Sequence, residues 1–64
     1  MTGLDLYRLR RHLDLSQEEF ARELGVSVRT VARYEGGGRV GSPRLIEAAA
    51  REVERRLGRR APRD

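Results

Sequence analysis

Apolar residues recur at helical spacing along most of the chain and almost nowhere alternate as a half-buried strand would require. Leu6, Leu9 and Leu13 fall at i, i+3 and i+7, one face of a first helix, and Leu4 is read as extending it. Thr2 is placed to cap that helix, with Asp5 three residues on as the partner carboxylate. The first helix stops near Leu13-Asp14. Ser16-Gln17-Glu18-Glu19 spells a capping box and opens a second helix, whose buried stripe is Phe20, Ala21 and Leu24. Gly25 ends it, because glycine enters the left-handed region without steric cost. Ser27 caps a third helix from Val28 to Glu35, closed by Gly36, with Val31 and Tyr34 pointing inward. The run Gly36-Gly37-Gly38-Arg39-Val40-Gly41 reads as a flexible connector. Ser42-Pro43 then starts a fourth helix with a cap and a proline at the first helical position. Its stripe is Ile46, Ala49, Ala50, Val53 and Leu57, and Gly58 is expected to close it. Residues 59–64 carry no apolar period and read as a basic tail that frays. The pattern predicts an all-α domain over residues 1–58.

Length and composition narrow the setting. A chain of 64 residues is one small domain. A domain of about 60 residues buries only about 60% of the surface its unfolded chain exposes, so a binding partner is a natural further source of stability. There is no cysteine for a disulfide, and a single histidine argues against a structural zinc site. No apolar run approaches the roughly 18 residues of a membrane span, and the first residues lack a signal-peptide layout. These features predict a soluble, intracellular protein that needs no metal or cofactor.

The net charge is +4, and all 14 basic residues are arginine. That balance raises the prior for a nucleic-acid partner, although arginine without lysine also follows from a GC-rich coding sequence. The distribution weakens the global argument. Residues 1–54 hold nine arginines and nine acids, while residues 55–64 hold five arginines and one acid. The whole excess sits in the C-terminal end, so placement has to carry any argument for DNA.

Three residues at fixed spacing supply that placement. Two helices joined by a tight turn need a small residue where they cross, a residue at ease with positive φ four positions later, and an apolar residue facing back six further on. Ala21, Gly25 and Val31 meet these needs together. Leu15-Ser16-Gln17-Glu18-Glu19-Phe20-Ala21, Leu24-Gly25-Val26-Ser27, Thr30-Val31 and Tyr34-Glu35 resemble the Cro/cI-type (XRE) helix-turn-helix family over roughly residues 4–54. That family includes phage repressors, Cro proteins, small bacterial regulators and antitoxins. The resemblance implies a four- to five-helix, lambda-repressor-like DNA-binding domain acting as a homodimer on a palindromic operator. It also implies an arginine in helix one paired with a glutamate ending helix three, matched here by Arg10 and Glu35. The chain departs from the pattern at Asp14, where glycine is usual, in its looser glycine run, and in lacking a clear fifth helix.

With Val31 and Tyr34 inward, the opposite face of helix three carries Val28, Arg29, Ala32 and Arg33. Arg29 and Arg33 are expected to read bases, since arginine gives guanine two hydrogen bonds, at O6 and N7. Val28 is suited to a thymine methyl, and Ala32 lets the backbone approach the groove floor. Backbone phosphates are assigned to Gln17 at the start of helix two, to Ser27 and Thr30, and to Arg39 and Arg44 flanking the connector. Gly36, Gly38 and Gly41 spell GxGxxG, but no strand precedes them, which excludes the dinucleotide-binding reading. His12 is read as a surface residue, and Glu18, Glu19 and Glu23 as a solvated face, leaving no catalytic constellation.

The expected function is therefore transcriptional regulation, of the repressor type, in the cytoplasm and nucleoid of a bacterium or phage-infected cell. Dimeric half-sites are expected about one turn apart (~34–36 Å), with Val53 and Leu57 as the dimer contact. The rival is an antitoxin-like protein that binds a toxin partner through helix four and also binds its own promoter.

Overall fold

The computed structural model describes residues 1–60 and contains four helices: α1 Gly3–His12, α2 Gln17–Leu24, α3 Val28–Glu35 and α4 Pro43–Arg60. Each of the first three starts on a capping hydroxyl. Thr2 accepts from the Asp5 amide (3.1 Å) and the Asp5 carboxylate accepts from the Thr2 amide (2.9 Å). Ser16 and Glu19 repeat the arrangement at 3.0 and 2.8 Å. Ser27 accepts from the Thr30 amide at 3.1 Å. These contacts satisfy amides that have no partner within the helix.

The same three helices stop by one mechanism. At α2, Gly25 adopts φ +80°, its amide donates to Arg22 O (3.3 Å), and the Val26 amide donates to Ala21 O (3.0 Å). That paired pattern is the Schellman closure. At α3 the left-handed residue is Gly37 (φ +88°) and the donors are Gly37 and Gly38. At α1 it is Asp14, at φ +62°, with the Asp14 and Leu15 amides donating to Arg11 O and Arg10 O. This conformation is sterically costly for a residue with a Cβ, although less so for aspartate than for most.

The core is formed by Leu6, Phe20, Ala21, Leu24, Val31, Tyr34, Ile46, Ala50 and Val53, with Leu9, Leu13, Leu15, Val26, Val40, Ala49 and Leu57 packed against it. α2 and α3 make the most extensive helix pair, α1 packs on α3, and α4 packs on α2. Phe20 has no exposed surface. Burying such a side chain is worth about 1.5–3 kcal/mol, a large share of the roughly 3–10 kcal/mol that a chain of this length has in total. Gly3 lets α1 approach the last turn of α3. A Cβ there would collide with the Tyr34 carbonyl and lie 3.0 Å from the Glu35 carbonyl oxygen. The Tyr34 hydroxyl, over the same junction, donates within reach of Met1 O and Glu47 Oε2, both at 3.1 Å. Burial, then the Glu47 carboxylate, raise the Tyr34 pKa, while bonds from the terminal ammonium and Tyr34 lower that of Glu47.

Four expectations need correction. Leu4 does not extend the α1 stripe but is 53% exposed, because two residues before Leu6 is about 200° around the helix. Gly58 does not close α4. It is not at positive φ, and the helix continues through Arg59 to Arg60. Of the tail expected over 59–64, residues 61–64 lie outside the described residues. Val53 cannot be a dimer contact, since it is 1% exposed inside this chain's own core, and Leu57 packs against the same cluster. The glycine connector is not loose throughout: the Gly38 amide donates to Arg33 O at 2.8 Å, and Val40 packs against the core.

Two measurements check this account of the helix ends. Asp14→Gly removes the strain at φ +62° and should raise stability by roughly 0.5–1 kcal/mol in urea denaturation; an unchanged or lower midpoint contradicts it. Hydrogen bonds from the Ser16 amide, then the Ser16 hydroxyl, hold the Glu19 pKa below its ordinary 4.5. A carboxylate depressed in the folded state stabilises above the unfolded value and loses that contribution as pH falls through the folded one. Stability should therefore fall as pH drops below about 4.5, and less steeply in Glu19→Gln, which keeps the acceptor oxygen. Identical acid limbs would exclude the capping carboxylate as a cause.

Candidate nucleic-acid interface

The geometry of the α2–α3 unit follows from its three marker residues. Ala21 (3% exposed) and Val31 (1% exposed) lie in the core, and Gly25 turns the chain between the helices in the left-handed conformation. With Val31 and Tyr34 buried, the outer face of α3 is left to Val28, Arg29, Ala32 and Arg33, all exposed. Val28 stands 42% exposed, more than a valine used for packing would be.

The connector returns beside this face. Arg29, Thr30, Arg33, Arg39, Val40 and Gly41 line one cleft of about 300 Å³, which brings Arg39 next to the two arginines of α3. Arg44 is exposed on the first turn of α4 and does not line that cleft. Ser27 and Thr30 sit at the α3 N-terminus with their hydroxyl oxygens 3.0 Å apart. One of the two hydroxyl protons is engaged between them, so the pair keeps one donor for an outside acceptor.

Charge is sorted unevenly over the molecule. Many carboxylates are occupied internally: Asp5 and Glu19 in capping boxes, Glu23 with Arg56 (3.0 Å), Glu47 with the terminal ammonium (3.2 Å), and Glu52 with Arg55. Among the described residues, Arg29, Arg33, Arg39 and Arg44 take part in no ion pair. Arg8, Arg11, Arg22 and Arg51 are likewise exposed and outside these pairs, but only Arg29, Arg33 and Arg39 share one cleft, a grouping suited to an external anion.

Arg10 and Glu35 hold this arrangement from behind. The Arg10 Nε donates to Glu35 Oε2 at 2.7 Å and its Nη2 to Glu35 Oε1 at 3.2 Å, a two-pronged pair with side chains only 10% and 6% exposed. The remaining Nη1 donates to the Leu15 carbonyl at 2.9 Å, and the guanidinium lies 5.3 Å from the Tyr7 ring centroid. Gln17 Nε2 donates to Glu35 Oε1 at 3.1 Å. Gln17 is thus half-buried and tied to α3, and of its side-chain amide only the second hydrogen stays available to a phosphate. Sequence reasoning missed this link, along with the anchoring of the connector by Val40 and Gly38. The one signal was a lone valine within a run of glycines.

Removing one member of a buried pair strands the other. Glu35→Ala should cost about 3–5 kcal/mol in urea denaturation, and Glu35→Ala combined with Arg10→Met should cost less than Glu35→Ala alone. A single-variant loss under about 1 kcal/mol would show that the pair does not organise the domain.

The Helix-turn-helix family model, of the XRE type, matches residues 6–58. No curated protein and no solved structure is a significant match. The matched span contains α2, the Gly25 turn, α3 and the Arg10–Glu35 pair. The chain belongs to the helix-turn-helix family of DNA-binding transcription regulators.

Proposed function

We propose that this chain binds double-stranded DNA in a sequence-specific manner, as a homodimer on a palindromic operator, with α3 in the major groove. The observation that carries the reading is the outer face of α3. It presents Arg29 and Arg33 exposed and outside any internal ion pair among the described residues, beside Arg39 in the same cleft. In this reading Arg29 and Arg33 contact guanine edges and Val28 contacts a thymine methyl. Gln17, Ser27, Thr30, Arg39 and Arg44 contact phosphates and set the register, without reading sequence.

A homodimer follows from scale. One eight-residue helix reaches only a few base pairs, and a two-fold pair doubles the information read, with half-sites about one turn apart (~34–36 Å). The resemblance to Cro-type repressors favours repression by occupancy of the operator.

Selection of bound sites from random duplex DNA tests the reading. The wild-type protein should return an inverted repeat bearing guanine. Arg33→Ala should relax one position in each half-site and cost about 1–3 kcal/mol on the best site. Arg39→Ala should weaken all sequences alike and flatten the dependence of affinity on salt by about one unit for each phosphate no longer neutralised. An unchanged motif for Arg33→Ala would take α3 out of the groove, and an unchanged salt slope would take Arg39 off the phosphates.

A further inference from the structure

The third glycine of the connector has a contact that its neighbours lack. A Cβ built on Gly38 would stand 2.8 Å from Arg33 Cγ, 3.2 Å from Arg33 O and 3.6 Å from Arg33 Cδ. The first of these is closer than real Cβ contacts come, and it falls on the middle of the arginine stem rather than on its mobile end. Gly38 is not at positive φ, so an L side chain is compatible with its backbone. The need for glycine there comes from Arg33 itself. Gly37 differs, being at φ +88° with open space around it. Gly41 differs too, with nothing within 4 Å and no positive φ.

The loop at Gly38 is held from both sides. Its amide donates to Arg33 O at 2.8 Å, and two residues later Val40 packs on the core. The Arg33 stem therefore lies against backbone that cannot easily retreat. A long arginine carries several rotamers, and two parallel hydrogen bonds to one guanine require a single aim. A stem braced before binding loses less freedom on binding.

We propose that Gly38 is a positioning residue for Arg33: the bare backbone at 38 leaves the stem the one space from which its guanidinium reaches the groove, so the glycine connector sets base preference. This rests on α3 being the reading helix. Any side chain at 38 displaces the stem and redirects Arg33, while Arg29 is untouched.

The test measures binding to the duplex site selected by the wild-type protein, for Gly38→Ala, Gly58→Ala, Arg33→Ala and Arg33→Ala/Gly38→Ala. Gly38→Ala should lose about tenfold in affinity and relax the same base-pair position that Arg33→Ala relaxes. Gly58→Ala, on α4 away from the cleft and with only an ordinary 3.9 Å contact to Leu13 Cδ2, should match wild type. In the Arg33→Ala background, Gly38→Ala should leave the motif unchanged and lose much less than tenfold, because the Cγ it would meet at 2.8 Å is gone and only the 3.2 Å contact with the Arg33 carbonyl remains. Wild-type affinity and motif for Gly38→Ala would overturn the proposal. So would a loss of the same size in the double variant, which would mark a backbone effect. If Gly38→Ala fails to fold, recovery of folding in the double variant supports the clash with the Arg33 stem, and continued unfolding overturns it. An unchanged motif for Arg33→Ala removes the reading of α3 itself; a changed motif for Arg33→Ala with none for Gly38→Ala removes only the role of Gly38.

Discussion

The arrangement of the helices depends on one buried ion pair. Arg10 leaves the last turns of α1, reaches the Glu35 carboxylate at the end of α3 through two of its nitrogens, and directs a third to the Leu15 carbonyl between α1 and α2. Gln17, opening α2, donates to the same carboxylate. Three helices thus converge on one anion. A carboxylate at a helix C-terminus is disfavoured by the helix dipole, typically by about 0.3–1 kcal/mol, so Glu35 needs strong compensation there. The two-pronged guanidinium supplies it, with planar geometry that lysine could not reproduce. The value of the pair lies in orientation more than in net stability, since buried pairs often only break even against apolar replacements.

That orientation explains the division of charge. The carboxylates are largely turned to structural work, in capping boxes and in ion pairs that tie α2 to α4 and one residue of α4 to the next turn. Arg29, Arg33 and Arg39 have no such employment among the described residues, and unlike the other unpaired arginines they share one cleft. Net charge is a poor guide to this, because the excess of +4 lies beyond residue 54 and the rest of the chain is balanced. What makes a binding face is the local separation of cations that face outward from anions that are already satisfied.

Much of this was legible in the residues. A cap requires a hydroxyl and a partner at fixed spacing, so Thr2, Ser16 and Ser27 announce helix starts. The core stripes follow from a 3.6-residue period, and Ala21, Gly25 and Val31 mark the turn by mutually dependent spacing. The failures share a cause, which is that a pattern names a face without naming what covers it. Val53 lies on an apolar stripe, and only the packing of α4 on α2 shows that its own chain covers it. Gly58 permits a helix to end but does not compel it, since closure needs a left-handed residue and the chain keeps right-handed backbone there. Composition alone makes the glycine connector look loose. Its order comes from backbone bonds and from Val40, features that composition does not encode.

We propose that α3, braced by Arg10 and Glu35, is the surface that meets DNA. Amide chemical-shift mapping during titration with a short duplex at low salt tests it most directly. The perturbed residues should be Gln17, Ser27 to Arg33, Arg39 and Arg44, while Arg51 and Glu54 on the exposed side of α4 stay unmoved. Perturbation centred on α4, with α3 silent, would contradict it.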